Sequence, residues 1–125
     1  MRIVFATSEA TPYIKSGGLA DVLGSLPKEI VKQGHEAIVV LPKYQDMQLV
    51  DTLTFVTNFD IWVSWRKEYC GVFKATLDNV TYYFIDNERY FKRPGLYSYS
   101  DDYERYAFFN FAVLELLSHL DIKPD

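Results

Sequence analysis

The side chains best suited to chemistry are gathered in Lys15-Ser-Gly-Gly-Leu-Ala-Asp21. Lys15 supplies a full positive charge, and Gly17 and Gly18 permit close backbone approach. The residues that follow have helical period, so a helix start here would present unpaired N–H groups and a partial positive charge. Together these suit a phosphate or diphosphate. Asp21, one turn into that helix, would repel such a group. It suits sugar hydroxyls, which donate charge-assisted hydrogen bonds to a carboxylate. A plainer reading stands beside this one: Gly-Gly at a strand-to-helix turn is often loop geometry alone, and an exposed lysine nearby is common. Neither G-x-G-x-x-G nor the P-loop signature is matched.

The elements that must position this segment follow from hydrophobic period. Residues 2–7 form a short apolar run, the pattern of a parallel strand covered on both faces. A loop over 8–18 is marked by Pro12 and the glycine pair. Leu19, Val22, Leu23, Leu26, Ile30 and Val31 recur at steps of three and four, which predicts an amphipathic helix that Pro27 should kink or divide. Gly34 is placed to end it, and residues 37–41 read as a second buried strand before Pro42. Strand, helix and strand make a βαβ unit, right-handed by default. In open parallel sheets ligands bind beyond the carboxyl ends of the strands, where the Lys15 loop falls.

Further along, the period changes to two. Phe55, Thr57, Phe59, Ile61, Val63 and Trp65 alternate with mostly polar neighbours, as antiparallel strands do. Residues 71–77 and 80–85 flank Asp78-Asn79, a pair that tolerates left-handed backbone angles and predicts a hairpin. Residues 87–100 read as a loop rich in Tyr and Arg. Ser100 or Asp101 can cap a final helix over 102–120, with Tyr106, Phe109, Ala112, Val113, Leu116, Leu117 and Leu120 on its apolar face. The chain stops where a buried strand should begin, so it reads as cut from something larger.

Composition narrows the function classes. Thirteen basic and seventeen acidic residues give a net charge of −4, which argues against nucleic acid or an anionic membrane as the main partner. No apolar run approaches a membrane span, and the lone Cys70 fits a reducing compartment, so a cytoplasmic location is expected. Two histidines, one cysteine and no clustered carboxylates give no metal-ligand set, and no cofactor is expected. His35 reads as a helix-end residue, His119 as a favourable charge at a helix terminus, and Cys70 as a buried small hydrophobe. Trp62, Trp65, Tyr82, Tyr83, Tyr90 and Phe91 could stack on sugar rings, but in and beside alternating strands they are expected to pack the core.

Ser8-Glu-Ala-Thr-Pro12, followed by Lys15-Ser-Gly-Gly-Leu-Ala-Asp-Val22, closely resembles the amino terminus of bacterial glycogen synthases and plant starch synthases. Their hallmark is Lys-x-Gly-Gly-Leu-Ala-Asp-Val. Matches continue in order through Leu26-Pro27, Gly34-His35, Leu41-Pro42, Tyr83-Phe-Ile-Asp86, Tyr90-Phe-Lys-Arg-Pro-Gly-Leu-Tyr97, and Asp101 through Arg105-Tyr106. The resemblance implies an α/β fold: a partial Rossmann-like parallel sheet with an antiparallel β-hairpin insertion, the amino-terminal part of a two-domain glycosyltransferase. It implies a retaining enzyme that moves glucose from ADP-glucose (UDP-glucose in some relatives) to the non-reducing end of an α-1,4-glucan. By the same resemblance Lys15, with the amides of Gly17 and Gly18, would contact the donor diphosphate. Asp21 would sit beside the donor sugar, Tyr97 and Glu9 would line the sugar cleft, and Arg105 would brace the Tyr97 loop. The family's second domain, with most nucleotide contacts, lies outside residues 1–125. The chain is therefore expected to be an incomplete amino-terminal fragment, inactive alone and without an assignable catalytic residue. A non-catalytic carbohydrate-binding or assembly module is the alternative. A sheet lacking its next strand would expose an edge open to self-association.

Overall fold

A computed structural model describes all 125 residues. The chain runs β1 (Arg2–Ala6), α1 (Gly18–Lys32), β2 (Glu36–Pro42), a 3-10 turn (Val50–Thr52), β3 (Thr54–Val63), β4 (Arg66–Leu77), β5 (Val80–Asp86), α2 (Glu88–Phe91) and α3 (Asp102–His119). One five-stranded sheet has the order β1-β2-β5-β4-β3. β1, β2 and β5 are mutually parallel, whereas β4 is antiparallel to both β5 and β3. The hairpin strands therefore widen the parallel sheet rather than forming a separate layer. Asp78 and Asn79 take φ of 52° and 64° at the β4–β5 turn, the left-handed pair that a tight hairpin needs.

β2 is buried from Ala37 to Pro42, which requires cover on both of its faces. That cover comes from α1, packed on β2 and β5, and from α3, packed on β3 and β2. β1 departs from its expected double cover. It lies at the sheet edge, and Ile3, Val4 and Phe5 are only half-buried. The first helix is continuous through Pro27, not divided, and Gly34 follows it with φ of 92°. Its buried face is also rotated from the expected one. Ala20, Leu23, Gly24 and Pro27 face inward, while Leu19, Val22 and Leu26 are exposed.

α3 matches its expected span and buries Phe108, Phe109, Ala112, Val113 and Leu116. Asp101 stands at its N-cap without a side-chain cap bond, because its carboxylate takes both Arg93 Nη1 at 2.7 Å and Nη2 at 2.9 Å. The loop over 87–100 contains the short helix α2, capped by the Asn87 side chain accepting from Tyr90 N–H. Tyr82, Tyr83, Tyr90 and Phe91 are core residues as expected, whereas Trp62 and Trp65 are exposed. Cys70 is fully buried, and burial pushes its thiol up to about 12, leaving it unreactive at neutral pH.

Candidate functional site

The loop between β1 and α1 lies beyond the carboxyl ends of the parallel strands and is held from several directions. Ala10 and Ile14 exchange backbone hydrogen bonds across it, Thr11 N–H donates to Ala20 carbonyl, and Gln48 N–H donates to Tyr13 carbonyl at 2.7 Å. Tyr44 Oη donates to Ser8 carbonyl at 2.7 Å and also meets Tyr106 Oη at 2.9 Å. Tyr106 Oη also lies 2.9 Å from Leu96 carbonyl, so two tyrosine protons shared among three contacts tie the first loop to the Tyr97 segment. Arg105, fully buried on α3, donates to the carbonyls of Tyr90 and Leu96. It therefore braces the Tyr97 loop from beneath.

Glu9 is the centre of this arrangement and is 2% exposed. Its Oε1 accepts from Gly17 N–H at 3.0 Å and Ala20 N–H at 3.3 Å, and its Oε2 accepts from Ser16 Oγ at 2.5 Å and Tyr97 Oη at 2.7 Å. Burial alone would raise the Glu9 carboxyl, but hydrogen bonds from Ser16, Tyr97 and Gly17 together outweigh it and hold the group below the usual carboxylate value. Glu9 thus caps α1 from outside the helix, in place of a side-chain bond from Gly17 at the N-cap. The expectation that every N–H at this helix start is unpaired is corrected for Gly17 and Ala20. Gly18 and Leu19 N–H make no hydrogen bond within the molecule, and both residues are exposed.

Apart from Gly18, the expected site residues fall into two contacting groups. Glu9, Gly17 and Tyr97 meet through the Glu9 carboxylate. Lys15 and Asp21 meet in an exposed ion pair at 2.8 Å, with Thr11 Oγ1 donating to the same Asp21 carboxylate. The Lys15 hydrogen bond holds Asp21 below its ordinary value against the opposing effect of desolvation. An open groove of about 510 Å³ runs between the two loops, with Lys15, Ser16, Asp46, Gln48, Gly95 and Tyr97 among its lining. Glu9 and Asp21 do not line it: Glu9 lies beneath and Asp21 stands at its Lys15 margin. Ser8, Ser16, Tyr44 and Tyr106 complete the network; the first, second and fourth stand in the matched motifs without a role assigned, and Tyr44 carries no sequence signal. Tyr44 and Ser8, for instance, are 36 residues apart.

Gly17 and Gly18 carry a further message. Neither has a positive φ, and a Cβ on either would meet nothing within 4 Å. Nothing inside the chain demands glycine there. A bare backbone, with the Gly18 N–H free, is instead what a ligand in contact with the main chain would need.

The open α/β sheet thus carries, beyond its strand ends, a helix start with a lysine beside it and two glycines that leave the main chain bare. Residues 2–125 match the family model described as the starch synthase catalytic domain, and the chain belongs to that family. It is 50% identical to the glycogen synthases of Clostridium botulinum (strain Eklund 17B) and Lactobacillus acidophilus, in each case over 127 aligned positions. Both alignments cover 100% of this chain and 27% of the relative. Among solved structures it resembles the catalytic domain of starch synthase IV from Arabidopsis thaliana bound to ADP and acarbose, with a TM-score of 0.91 and 30% identity. That match covers 98% of this chain and 26% of the other. The chain thus spans about a quarter of the length of the curated relatives it matches.

Proposed function

We propose that this chain is the amino-terminal part of a glycogen synthase that transfers glucose from ADP-glucose to the non-reducing end of an α-1,4-glucan in the cytoplasm. Its own contribution is to hold the donor diphosphate and the sugars. The observation that carries this reading is the exposed Lys15 beside the unpaired N–H groups of Gly18 and Leu19, where glycine serves no internal purpose. A diphosphate seated there gains the lysine charge and the partial positive charge of the helix end. As the glucosyl bond breaks, negative charge builds on the departing nucleotide, and the same groups oppose it without having to reorganise.

In this reading Asp21 has two tasks. Before the donor arrives, it keeps Lys15 in place as a counter-ion. When phosphate takes over Lys15, the Asp21 carboxylate is released to accept hydroxyls of the donor sugar. Tyr97 presents its ring to the groove while its hydroxyl is fixed by Glu9 and Ser8, and Glu9 acts through Tyr97 and the loop rather than by direct contact. Membership of a transferase family disfavours the alternative of a purely carbohydrate-binding module.

Lys15→Ala in the full-length enzyme should lower glucose transfer from ADP-glucose by about a hundredfold. Gly18→Ala should leave the melting temperature unchanged or slightly raised while weakening ADP binding. An unchanged transfer rate in Lys15→Ala would sink the assignment.

A further inference from the structure

We propose that Glu9 is a specificity-determining residue: its fixed charge limits how much negative charge the helix start will hold, so the site favours a nucleotide sugar over the freed nucleoside diphosphate. The inference rests on the transfer reading above and adds to it a property that separates substrate from product. A sugar-linked diphosphate carries two negative charges. Once the glucosyl bond breaks, the bonding electrons stay on the terminal phosphate. That phosphate ionises a second time with a pKa of about 6, so the product carries almost a full extra charge at neutral pH.

The charges around the groove point to this role. Lys15 is the only cation in its lining, and Asp21 already pairs with it at 2.8 Å. Asp46 lines the same groove, where its carboxylate accepts from Gly95 N–H at 2.8 Å. Glu9 lies beneath. One cation thus faces three carboxylates, at a place otherwise suited to an anion by its helix end. Asp21 has Lys15 to neutralise it, but Glu9 has no cation. Its partners are the N–H groups of Ser16, Gly17 and Ala20 and the hydroxyls of Ser16 and Tyr97, all neutral. At 2% exposure it is also cut off from screening by water and salt. The free Gly18 N–H is one peptide unit from the Gly17 N–H that Glu9 holds, so a phosphate there feels the Glu9 charge at close range.

The fold does not itself require a charge at this point. A neutral Ser or Asn at the N-cap would satisfy a helix-start N–H as well. Ser16 Oγ and Tyr97 Oη can donate to an amide oxygen as they do to a carboxylate. An ionised Glu9 gains from the helix end, but it does so by occupying the field that a bound phosphate would use. The resulting repulsion grows with each charge the ligand brings. It is greatest after transfer, when the charge on the nucleotide is complete. Lys15 favours that charge as it builds, and Glu9 weakens the hold on the product once it is free.

The test is calorimetric titration of the full-length enzyme with ADP and with ADP methylated on its terminal phosphate, at neutral pH and fixed ionic strength. These ligands differ by one charge, and neither carries a sugar. Glu9→Gln should tighten ADP relative to the ester by about tenfold, whereas Glu9→Asp, which keeps the charge, should retain the parent's ratio. A purely structural role would weaken both ligands alike. An unshifted ratio in Glu9→Gln overturns the proposal, and so does a Glu9→Asp ratio that moves as far. Should Glu9→Gln fail to fold, Glu9→Asp against Glu9→Asn reads the same charge difference on a shorter side chain. Lys15→Ala separates the two readings. Lost transfer in Lys15→Ala with an unshifted ratio in Glu9→Gln removes the charge limit and leaves the transfer reading standing. Unchanged transfer in Lys15→Ala removes both.

Discussion

Glu9 fills, from within the chain, part of the anion position that a helix start creates. Five donors converge on its carboxylate: the N–H groups of Ser16, Gly17 and Ala20, Ser16 Oγ and Tyr97 Oη. Its folded-state value lies below the ordinary one, so ionised Glu9 stabilises the fold above the ordinary carboxylate range. That contribution is lost as pH falls through the depressed folded value. Glu9→Gln should cost about 2 kcal/mol at neutral pH, since an amide turns one acceptor into a donor facing other donors. The difference in stability between parent and variant, followed by denaturant unfolding at descending pH, should shrink below pH ~4. A gap independent of pH would show that the charge contributes nothing. Legibility at this scale followed sequence distance. Lys15, Gly17, Gly18 and Asp21 stand within one short segment, so their shared chemistry could be read directly. Glu9 and Tyr97 are 88 residues apart, and no local pattern links them; only the family resemblance named both.

Among the elements, α1 shows what periodicity can and cannot decide. The three-and-four spacing located the helix, but the buried face runs through Ala20, Leu23, Gly24 and the ring of Pro27 rather than through Leu19, Val22 and Leu26. The reason is proximity. An added Cβ on Gly24 would lie 3.0 Å from both the Thr11 side chain and its carbonyl oxygen, so the helix rests directly on the loop that carries Lys15. Large residues could not make that approach, and Leu19, Val22 and Leu26 turn outward instead. Gly24→Ala would ordinarily favour a helix by about 1 kcal/mol. Here the backbone of Thr11 must give way, so the expected result is a net loss of stability together with weaker ADP binding. Calorimetric melting and ADP titration of the same variant check both. A more stable variant with normal ADP affinity would mean that the loop is free to move. The β4–β5 hairpin was fully legible because Asp78-Asn79 dictates its own geometry. α2 was not, since its four residues carry too little periodicity to separate them from the surrounding loop.

For the whole molecule, the sheet order leaves two edges, and their chemistry differs. On β3, Asp60 is ion-paired with Lys67 of β4 at 3.9 Å and Trp62 stands opposite Lys67, a charged and bulky margin of the kind that discourages strand addition. β1 is plainer. Glu36 N–H donates to Met1 carbonyl and Thr7 N–H donates to Val40 carbonyl, so odd-numbered residues of this strand face β2. By alternation Arg2, Val4 and Ala6 direct their backbone groups outward. Arg2 is already satisfied by Asp125, whose N–H donates to Arg2 carbonyl at 2.9 Å and whose carboxylate accepts from Arg2 N–H at 2.7 Å. Val4 and Ala6 make no outward backbone hydrogen bond within residues 1–125, an edge along which two copies of this 125-residue chain would pair. The proposal is that they do so at high concentration, which sedimentation equilibrium would register as a monomer–dimer mixture. Val4→Pro removes an outward N–H and leaves the β2 ladder intact, so it should return the chain to a monomer. A parent chain that stays monomeric throughout the concentration series would refute edge pairing, and a dimer insensitive to Val4→Pro would move the interface elsewhere, with the exposed Leu19, Val22 and Leu26 stripe of α1 the next surface to substitute.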